Sequence, residues 1–409
     1  MKNNGVLEQL RKKLASKKDI ETPCYIYDRK RILENIATLK RNFDSIARIY
    51  FAVKANTNIT ILRLIKKEGI GAEVVSPGEI FICRKAGFKG KEILYNNVAR
   101  KPEEISYALK NGVIFFNFES INQAVLLEEV AKRMGKEIGV FVRINPGIFP
   151  ETHPHLSTGS EKSKFGIKLN EIPEVLKTTK RFKYAKLIGI HSHIGSQILS
   201  PTPFIKAARK VMEAIDFLQK NGVKIEYINL GGGFGVPYKP DERPLNFQPI
   251  IDCYQHIKEK YSVTIFLEPG RFLVANAGYI LTRLIDKKKR DHLPLYMIDA
   301  GMTENPRPAL YDAYHHIEPL SYNPSKKFKV RITGPLCENA DEFGIYPLPE
   351  LKIGDYLLIY NSGAYTRTMA STYNGRPLPA EYLIDEELKL IRKKQSLGGL
   401  IANEKYKSV

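Results

Sequence analysis

Lys54 closes an apolar run, Phe51-Ala52-Val53, and is followed by Ala55-Asn56. An ammonium group at the tip of a buried strand is costly to desolvate, so its placement there calls for a reason. A lysine that readily loses its proton when desolvated can condense with a carbonyl carbon to give a Schiff base. The plain alternative is a side chain that snorkels out from the strand end. Two further segments bear on the choice. Gly231-Gly232-Gly233-Phe234-Gly235 can form a backbone concavity whose N–H groups cradle a phosphate, although glycine runs also make ordinary turns. Glu268-Pro269-Gly270-Arg271 offers a carboxylate that could keep a heteroaromatic nitrogen protonated, or merely a Glu–Arg pair across a turn.

Taken together, a strand-end lysine, a phosphate cradle and an anionic ring partner describe the anchor points of pyridoxal 5'-phosphate. His191-Ser192-His193-Ile194-Gly195-Ser196-Gln197 extends the set, with an imidazole able to stack on a flat cofactor and Ser196 able to bind phosphate. A zinc pair at His191 and His193 is the competing reading. A two-residue spacing with no third ligand nearby supports it poorly, and no metal is assigned.

The elements that must position these groups can be read from hydrophobic periodicity. Eight short β-branched runs alternate with helical segments: Ile49–Val53, Ala72–Val75, Glu92–Tyr95, Val113–Phe118, Gly139–Ile144, Leu187–His191, Tyr227–Leu230 and Thr264–Leu267. Helical spacing is clear over Ile59–Glu68, Gln123–Arg133 and Pro203–Lys220. This is the signature of a (β/α)8 TIM barrel over residues 30–275. Polar groups follow its strands in turn: Lys54, Ser76, Asn96-Asn97, Glu119-Ser120, Asn145, His193, Gly231–Gly233 and Glu268. In such barrels the C-terminal strand ends converge on one mouth, and phosphate sites often use the loops after the seventh and eighth strands. Beyond about residue 276 the pattern turns to strands (Leu293–Asp299, Phe328–Thr333, Tyr356–Tyr360, Leu388–Lys393) between Pro- and Gly-rich turns. Residues 1–29 and 276–409 are expected to form one all-β domain, with Cys24–Tyr27 pairing into its sheet.

Composition narrows the functional classes. Four cysteines lie far apart without metal-binding or framework spacing, which fits a reducing, cytoplasmic setting. No apolar run reaches the length of a membrane span, and Met1-Lys2-Asn3-Asn4 leads into a charged segment unlike a signal peptide. The net charge of +20 is spread in small clusters (Arg11–Lys18, Lys287–Arg290, Arg392–Lys394) with no aromatic-interleaved stripe. That reads as a solvated basic surface and not as a nucleic-acid interface.

Several longer motifs carry a family resemblance: Gly71-Ala72-Glu73-Val74-Val75-Ser76, Ser157-Thr158-Gly159, Lys164-Phe165-Gly166, His193-Ile194-Gly195-Ser196-Gln197, Arg307-Pro308-Ala309-Leu310-Tyr311 and Cys337-Glu338. With them the chain resembles the alanine-racemase-like, fold-type III pyridoxal-phosphate decarboxylases, which act on diaminopimelate, ornithine or arginine, and resembles the diaminopimelate branch most. The resemblance spans nearly the whole chain. It implies Lys54 as the cofactor's amine partner, with His193, Ser196, Gly231, Gly232, Gly233, Glu268, Gly270, Arg271 and Tyr365 around the cofactor. Substrate would meet Arg271, Arg307, Tyr311, Glu338 and Tyr365, and Cys337 would be the proton donor. Cys337 and Glu338 would be supplied in trans within a homodimer. The implied reaction is decarboxylation of meso-2,6-diaminopimelate to L-lysine. The alternative is a related amino acid such as D-ornithine, D-lysine, L-ornithine, or a siderophore or polyamine intermediate.

Three segments depart from the family pattern: Thr303-Glu304-Asn305 after Gly301-Met302, Asn339-Ala340 after Glu338, and Thr366-Arg367 after Tyr365. A racemase would instead place a positive group at the ring nitrogen, which Glu268 opposes. A non-catalytic cofactor-binding module would usually be the barrel alone.

Overall fold

The computed structural model describes residues 8, 10–12, 20–149, 163–290, 293–321 and 326–405. Ser157-Thr158-Gly159 and part of the Arg11–Lys18 cluster lie outside the described residues. Two compact units form, one from Asn35–Val236 with Arg243–Leu273, the other from Met1–Glu34, Pro237–Glu242 and Val274–Val409. Among the described residues, no helix is long and apolar enough to cross a membrane.

After β1 (Cys24–Asp28) and α1 (Arg29–Phe43), eight strands close into a parallel barrel. They are β2 (Ala47–Ala52), β3 (Gly71–Val74), β4 (Ile93–Tyr95), β5 (Phe115–Phe118), β6 (Ile138–Arg143), β7 (Ala185–His191), β8 (Tyr227–Asn229) and β9 (Thr264–Leu267). Pairing of β9 with β2, Ile265 opposite Ala47, closes the ring. Helices α2 (Ile59–Lys67), α3 (Pro77–Ala86), α4 (Pro102–Lys110), α5 (Ile121–Met134), α6 (Ile172–Thr179), α7 (Thr202–Lys220) and α8 (Gln248–Tyr261) make the crossovers. Their apolar stripes cover the strands; α7 buries Phe204, Ala207, Ala208, Val211, Ala214, Ile215 and Leu218, a 3.6-residue repeat. Local signals set the helix ends. Asn58, Ser76 and Ser120 accept hydrogen bonds from N–H groups of the first turn. Gly87 and Gly135 end α3 and α5 at φ +99° and +61°, where a Cβ would be strained.

The strand-end serines Ser76 and Ser120 therefore start helices, and the sequence pattern had grouped them with the site. The lower barrel is filled by rings. Phe266 lies 4.9 Å from Tyr50, 5.1 Å from Tyr227, 5.7 Å from Phe141 and 5.9 Å from Phe115, centroid to centroid.

The second unit, entered after α9 (Arg271–Val274), is built on β10 (Gly278–Lys288), an eleven-residue strand. It continues through β11 (Leu295–Ile298), α10 (Arg307–Tyr311), β12 (Ile317–Pro319), β13 (Phe328–Thr333), β14 (Glu342–Leu348), β15 (Tyr356–Ile359), β16 (Ala380–Ile384) and β17 (Leu388–Arg392). The sheet order is β14-β13-β11-β10-β1-β16-β17, with β15 pairing both β10 and β12. β1 runs antiparallel to β10 and parallel to β16, so the N-terminal strand does enter this sheet.

Four strands had no clear sequence signal. β10 is apolar at one end and charged at Asp286–Lys288 at the other, β14 carries Gly344 and Pro347, β16 holds the buried Glu381, and β12 has three residues. Proline is tolerated in β14 because it is an edge strand. The run expected from Val113 begins as a strand only at Phe115.

Phe266 is fully buried, so Phe266→Ala should cost about 3–5 kcal/mol, and Phe266→Leu less than half of that. The chain has no tryptophan, so urea unfolding followed by far-ultraviolet circular dichroism is the suitable measurement. Equal costs for both variants would contradict a packed plug.

Candidate active site

Inward side chains alternate with outward ones along a strand, so each barrel strand offers interior positions two residues apart. The lower positions Tyr50, Leu94, Phe115, Phe141, Tyr227 and Phe266 belong to the apolar plug. Two residues further along stand Ala52, Asn96, Asn117, Arg143, Asn229 and Glu268, and these with Glu73 and His191 are all buried. Above an apolar floor, the barrel thus carries a polar collar.

Contacts across the barrel axis hold the collar together. Asn96 follows β4 and Glu268 follows β9, which are not neighbours in the ring, yet Asn96 Nδ2 donates to Glu268 Oε1 at 2.6 Å. Asn229 Nδ2 donates to the same oxygen. Glu268 Oε2 faces His191 Nε2 at 3.5 Å. Burial opposes ionisation of Glu268, but His191, the charge on Lys54 and the Asn229 amide outweigh it and hold the carboxyl well below its ordinary range. On the other side, Arg143 Nη1 donates to Glu119 Oε1 at 2.6 Å, and its guanidinium lies 4.6 Å from the centre of the Phe165 ring. Gly166 N donates to Glu119 Oε2 at 3.1 Å.

Lys54 sits in a short 3-10 turn, Val53–Ala55, directly after β2. Its Nζ donates to both oxygens of Glu73, at 3.2 and 3.0 Å, and its side chain is 39 % exposed against 1 % for Glu73. Burial raises the Glu73 carboxyl above its ordinary range, and the Lys54 charge opposes this only in part. The strand-end lysine is neither snorkelling nor isolated; a buried acid aims it.

Three positions of the glycine run, Gly231, Gly232 and Gly233, require glycine. Gly231 and Gly233 have φ of +65° and +100°. A Cβ on Gly231 would lie 2.7 Å from His193 Nδ1, one on Gly232 2.1 Å from the Glu268 carbonyl oxygen, and one on Gly233 2.5 Å from the Gly195 oxygen. The loop is therefore pressed against the 193–197 segment. There Gly232 N donates to His193 Nδ1 at 3.2 Å, and Arg271 Nε and Nη2 donate to Ser196 Oγ at 3.1 and 3.0 Å. Burial, reinforced by Arg143 and Lys54, holds His193 well below its ordinary pKa, so the ring is neutral. Gly270, buried, accepts from Leu273 N at 3.2 Å and starts the turn that carries Arg271.

His191 and His193 thus serve different partners. His191 points into the collar, and His193 accepts from the glycine loop. Among the described residues, no cluster of three or more His, Cys, Asp or Glu could hold a metal ion.

The remaining expected residues belong to the second unit. Arg307, 2 % exposed, opens α10; its Nη1 donates to Tyr238 Oη at 2.9 Å and to His315 Nε2 at 3.0 Å. Tyr311 ends the same helix. Tyr365 has φ +58°, a left-handed conformation unusual for a tyrosine. Cys337 and Glu338 stand exposed between β13 and β14. Asp341 supports their turn, with Oδ1 accepting from Met302 N at 2.6 Å and Oδ2 from Leu336 N at 2.8 Å.

Glu73, Asn117, Arg143, His191 and Asn229 were not picked out for roles in the collar. Their signal is a polar residue inside an apolar strand, as in Phe115-Phe116-Asn117-Phe118 or Val140-Phe141-Val142-Arg143.

The chain matches the family model described as pyridoxal-dependent decarboxylase, pyridoxal binding domain, over residues 29–275. It is 38% identical over 390 residues to diaminopimelate decarboxylase of Zymomonas mobilis, covering 94% of this chain and 92% of that protein. The crystal structure of diaminopimelate decarboxylase from Helicobacter pylori complexed with L-lysine is similar at a TM-score of 0.90 and 34% identity, covering 96% of this chain and 98% of that one. The Methanocaldococcus jannaschii enzyme in co-complex with L-lysine gives a TM-score of 0.89 at 35% identity, covering 98% and 94%.

The carboxylate cluster extends to Glu79 on α3, whose Oε2 accepts from Val75 N at 2.8 Å while burial pushes its carboxyl up to about 7. A folded-state value above the unfolded one means the contribution is complete below about pH 4.5 and disappears as pH rises through about 7. Wild type should therefore lose up to about 3 kcal/mol relative to Glu79→Gln between about pH 5 and about pH 8. Urea midpoints at both pH values measure this, and parallel behaviour of the two proteins would exclude it.

Proposed function

The chain belongs to the pyridoxal-dependent decarboxylases, and on that footing we propose that it converts meso-2,6-diaminopimelate to L-lysine and carbon dioxide. The observation that carries this reading is the collar, where a buried carboxylate kept charged, a lysine aimed by a second buried acid, and a loop without room for any Cβ share one barrel mouth. These residues fit pyridoxal 5'-phosphate. Gly231, Gly232, Gly233, Ser196, Gly270, Arg271 and Tyr365 would hold its phosphate end, the neutral His193 would lie against its ring, and Glu268 would accept from its ring nitrogen. Glu268 Oε1 already takes two amide donors, so Oε2, which also faces His191, would accept from that nitrogen.

When bound, the cofactor supplies a carbonyl carbon for amine exchange and a protonated ring that takes up the electron pair left by the departing carboxylate. Lys54 Nζ would be the amine that holds it. Glu73, with its raised carboxyl, can take a proton from Nζ and return it. Glu268, held ionised, would keep the proton on the ring nitrogen. Arg307, held by Tyr238 and His315, would fix the distal carboxylate with Tyr311; Arg271 and Tyr365 would line the substrate, and Glu338 would face the distal ammonium. Cys337 Sγ would deliver the proton to the α-carbon.

In this reading residues 30–275 bind the cofactor, while 1–29 and 276–409 supply substrate and dimer contacts. The exposure of Cys337 and Glu338 suits delivery to the site of a second copy in a homodimer. Four free cysteines suit the cytoplasm.

Purified protein given meso-diaminopimelate should release carbon dioxide and L-lysine in equal amounts. Faster turnover of D-ornithine, D-lysine or L-ornithine would establish the alternative substrate class. Arg307→Ala should lower kcat/KM for diaminopimelate by roughly 100-fold or more, the scale of a lost charge-assisted pair. Unchanged preference in that variant would remove Arg307 from the substrate site. Mixing Lys54→Ala with Cys337→Ala protein should restore activity to at most about a quarter of wild type, since half the dimers would carry one complete site. No recovery despite subunit exchange would rule out shared sites.

A further inference from the structure

His191 meets a buried chain of polar groups that nothing in the reaction above uses. Arg100 is buried at 8 % exposure, and its Nη1 donates to the Asn117 carbonyl oxygen at 2.7 Å. Its Nη2 donates to the Tyr95 carbonyl oxygen at 3.0 Å and to Asn117 Oδ1 at 2.5 Å. Asn97 N also donates to Asn117 Oδ1, at 3.0 Å. Two donors on one atom leave no choice about which end of the amide is oxygen. The nitrogen end, Nδ2, must then face Glu119 Oε1 at 3.5 Å and His191 Nδ1 at 3.4 Å. An amide N–H can only donate, so a proton on His191 Nδ1 would set donor against donor. The remaining ring nitrogen, Nε2, is buried without a hydrogen-bond partner and stands 3.5 Å from Glu268 Oε2, a carboxylate that can only accept.

We infer that Arg100 and Asn117 are positioning residues that hold His191 neutral as its Nε2–H tautomer, so that His191 turns an N–H toward Glu268 and leaves that carboxylate anionic without cancelling its charge. The distinction matters chemically. An imidazolium at His191 would form a full ion pair with Glu268 and weaken it as an acceptor; an Nδ1–H tautomer would press a lone pair against it. Only the Nε2–H form supports the anion and still leaves it basic enough to hold a proton on a ring nitrogen. This inference rests on the reading of Glu268 as the ring-nitrogen partner, but the tautomer itself does not need cofactor or substrate to be observed.

His315 supplies an internal reference of the opposite kind. Its Nδ1 lies 2.8 Å from the Tyr360 carbonyl oxygen, which can only accept, and its Nε2 accepts from Arg307, so it is the Nδ1–H form. The test is nitrogen-15 magnetic resonance of the cofactor-free protein labelled at histidine, with His191 assigned by the signal lost in His191→Gln. At about pH 7.5 His191 should show a protonated Nε2 and a bare Nδ1, while His315 shows the reverse. Asn117→Asp replaces the donor with an acceptor and should convert His191 to the imidazolium or the Nδ1–H form. In the loaded enzyme the same variant should lower kcat roughly tenfold with KM changed less than about twofold, the scale of one hydrogen bond acting on the chemical step. Should Asn117→Asp not fold, Arg100→Lys, which keeps the buried charge but loses the fork, should give a mixture of tautomers.

An imidazolium or Nδ1–H form in the wild type would overturn the inference. So would an unaltered Nε2–H form in a folded Asn117→Asp or Arg100→Lys protein. A protein that shows the expected tautomer but decarboxylates nothing would instead count against the proposed reaction, so the two failures are separable.

Discussion

Everything in the barrel mouth answers to the cost of keeping carboxylates inside it. Glu73 and Glu268 are both almost wholly buried, and an ionised carboxyl removed from water is tolerated only when donors and cations replace its hydration. The two are satisfied differently. Glu268 receives two side-chain amides and faces an imidazole, and it stays ionised; Glu73 receives a single flexible ammonium, and its carboxyl is raised. Two acids of the same type therefore differ in how readily they ionise. Their environments, not their chemistry, separate them.

Much of this arrangement is written in the sequence at a period of two. From Leu94 to Asn96, Phe115 to Asn117, Phe141 to Arg143, Tyr227 to Asn229 and Phe266 to Glu268, a bulky apolar residue is followed two positions on by a polar one. The barrel topology, Lys54, His193, the glycine run and Glu268 were legible because they stand at strand ends, where a polar residue interrupts an apolar run. The rest of the collar was overlooked because its members lie within or at the edge of the strands, where a lone polar residue is easily passed over as an irregularity. What sequence alone could not supply is which collar residues meet across the axis, since Asn96 and Glu268 are 172 positions apart.

The second unit was readable as a β region, with the N-terminal strand rightly joined to it, yet half of its connections were not. Its longest strand, β10, pairs with β1, β11 and β15, so no single face stays apolar along its length and the alternation that marks a half-buried strand is lost. Buried charge hides β16 in the same way. Glu381 is fully enclosed by the Tyr27 hydroxyl and the Arg392 and Arg367 guanidinium groups, a cluster that only the folded sheet assembles. Tertiary pairing here overrides what a local window can see.

The departures from the family pattern find their account in this same unit. Thr303, Glu304 and Asn305 are all buried, and Glu304 Oε2 accepts from Gly301 N at 2.7 Å and from Thr303 Oγ1 at 2.9 Å. Thr366 turns its hydroxyl to the Ser362 carbonyl oxygen, and Arg367 Nε pairs with Glu381 at 3.6 Å. Asn339 and Ala340 fall in an exposed turn whose geometry depends on the buried Asp341, and Gly301 and Gly334 are the residues that make room for that carboxylate. These substitutions are thus absorbed by internal hydrogen bonds and turn geometry. A residue that spends its polar atoms on its own backbone or on a buried neighbour has little left with which to choose a ligand. Arg307 is held otherwise, because a neutral hydroxyl and a neutral imidazole fix its guanidinium without neutralising it.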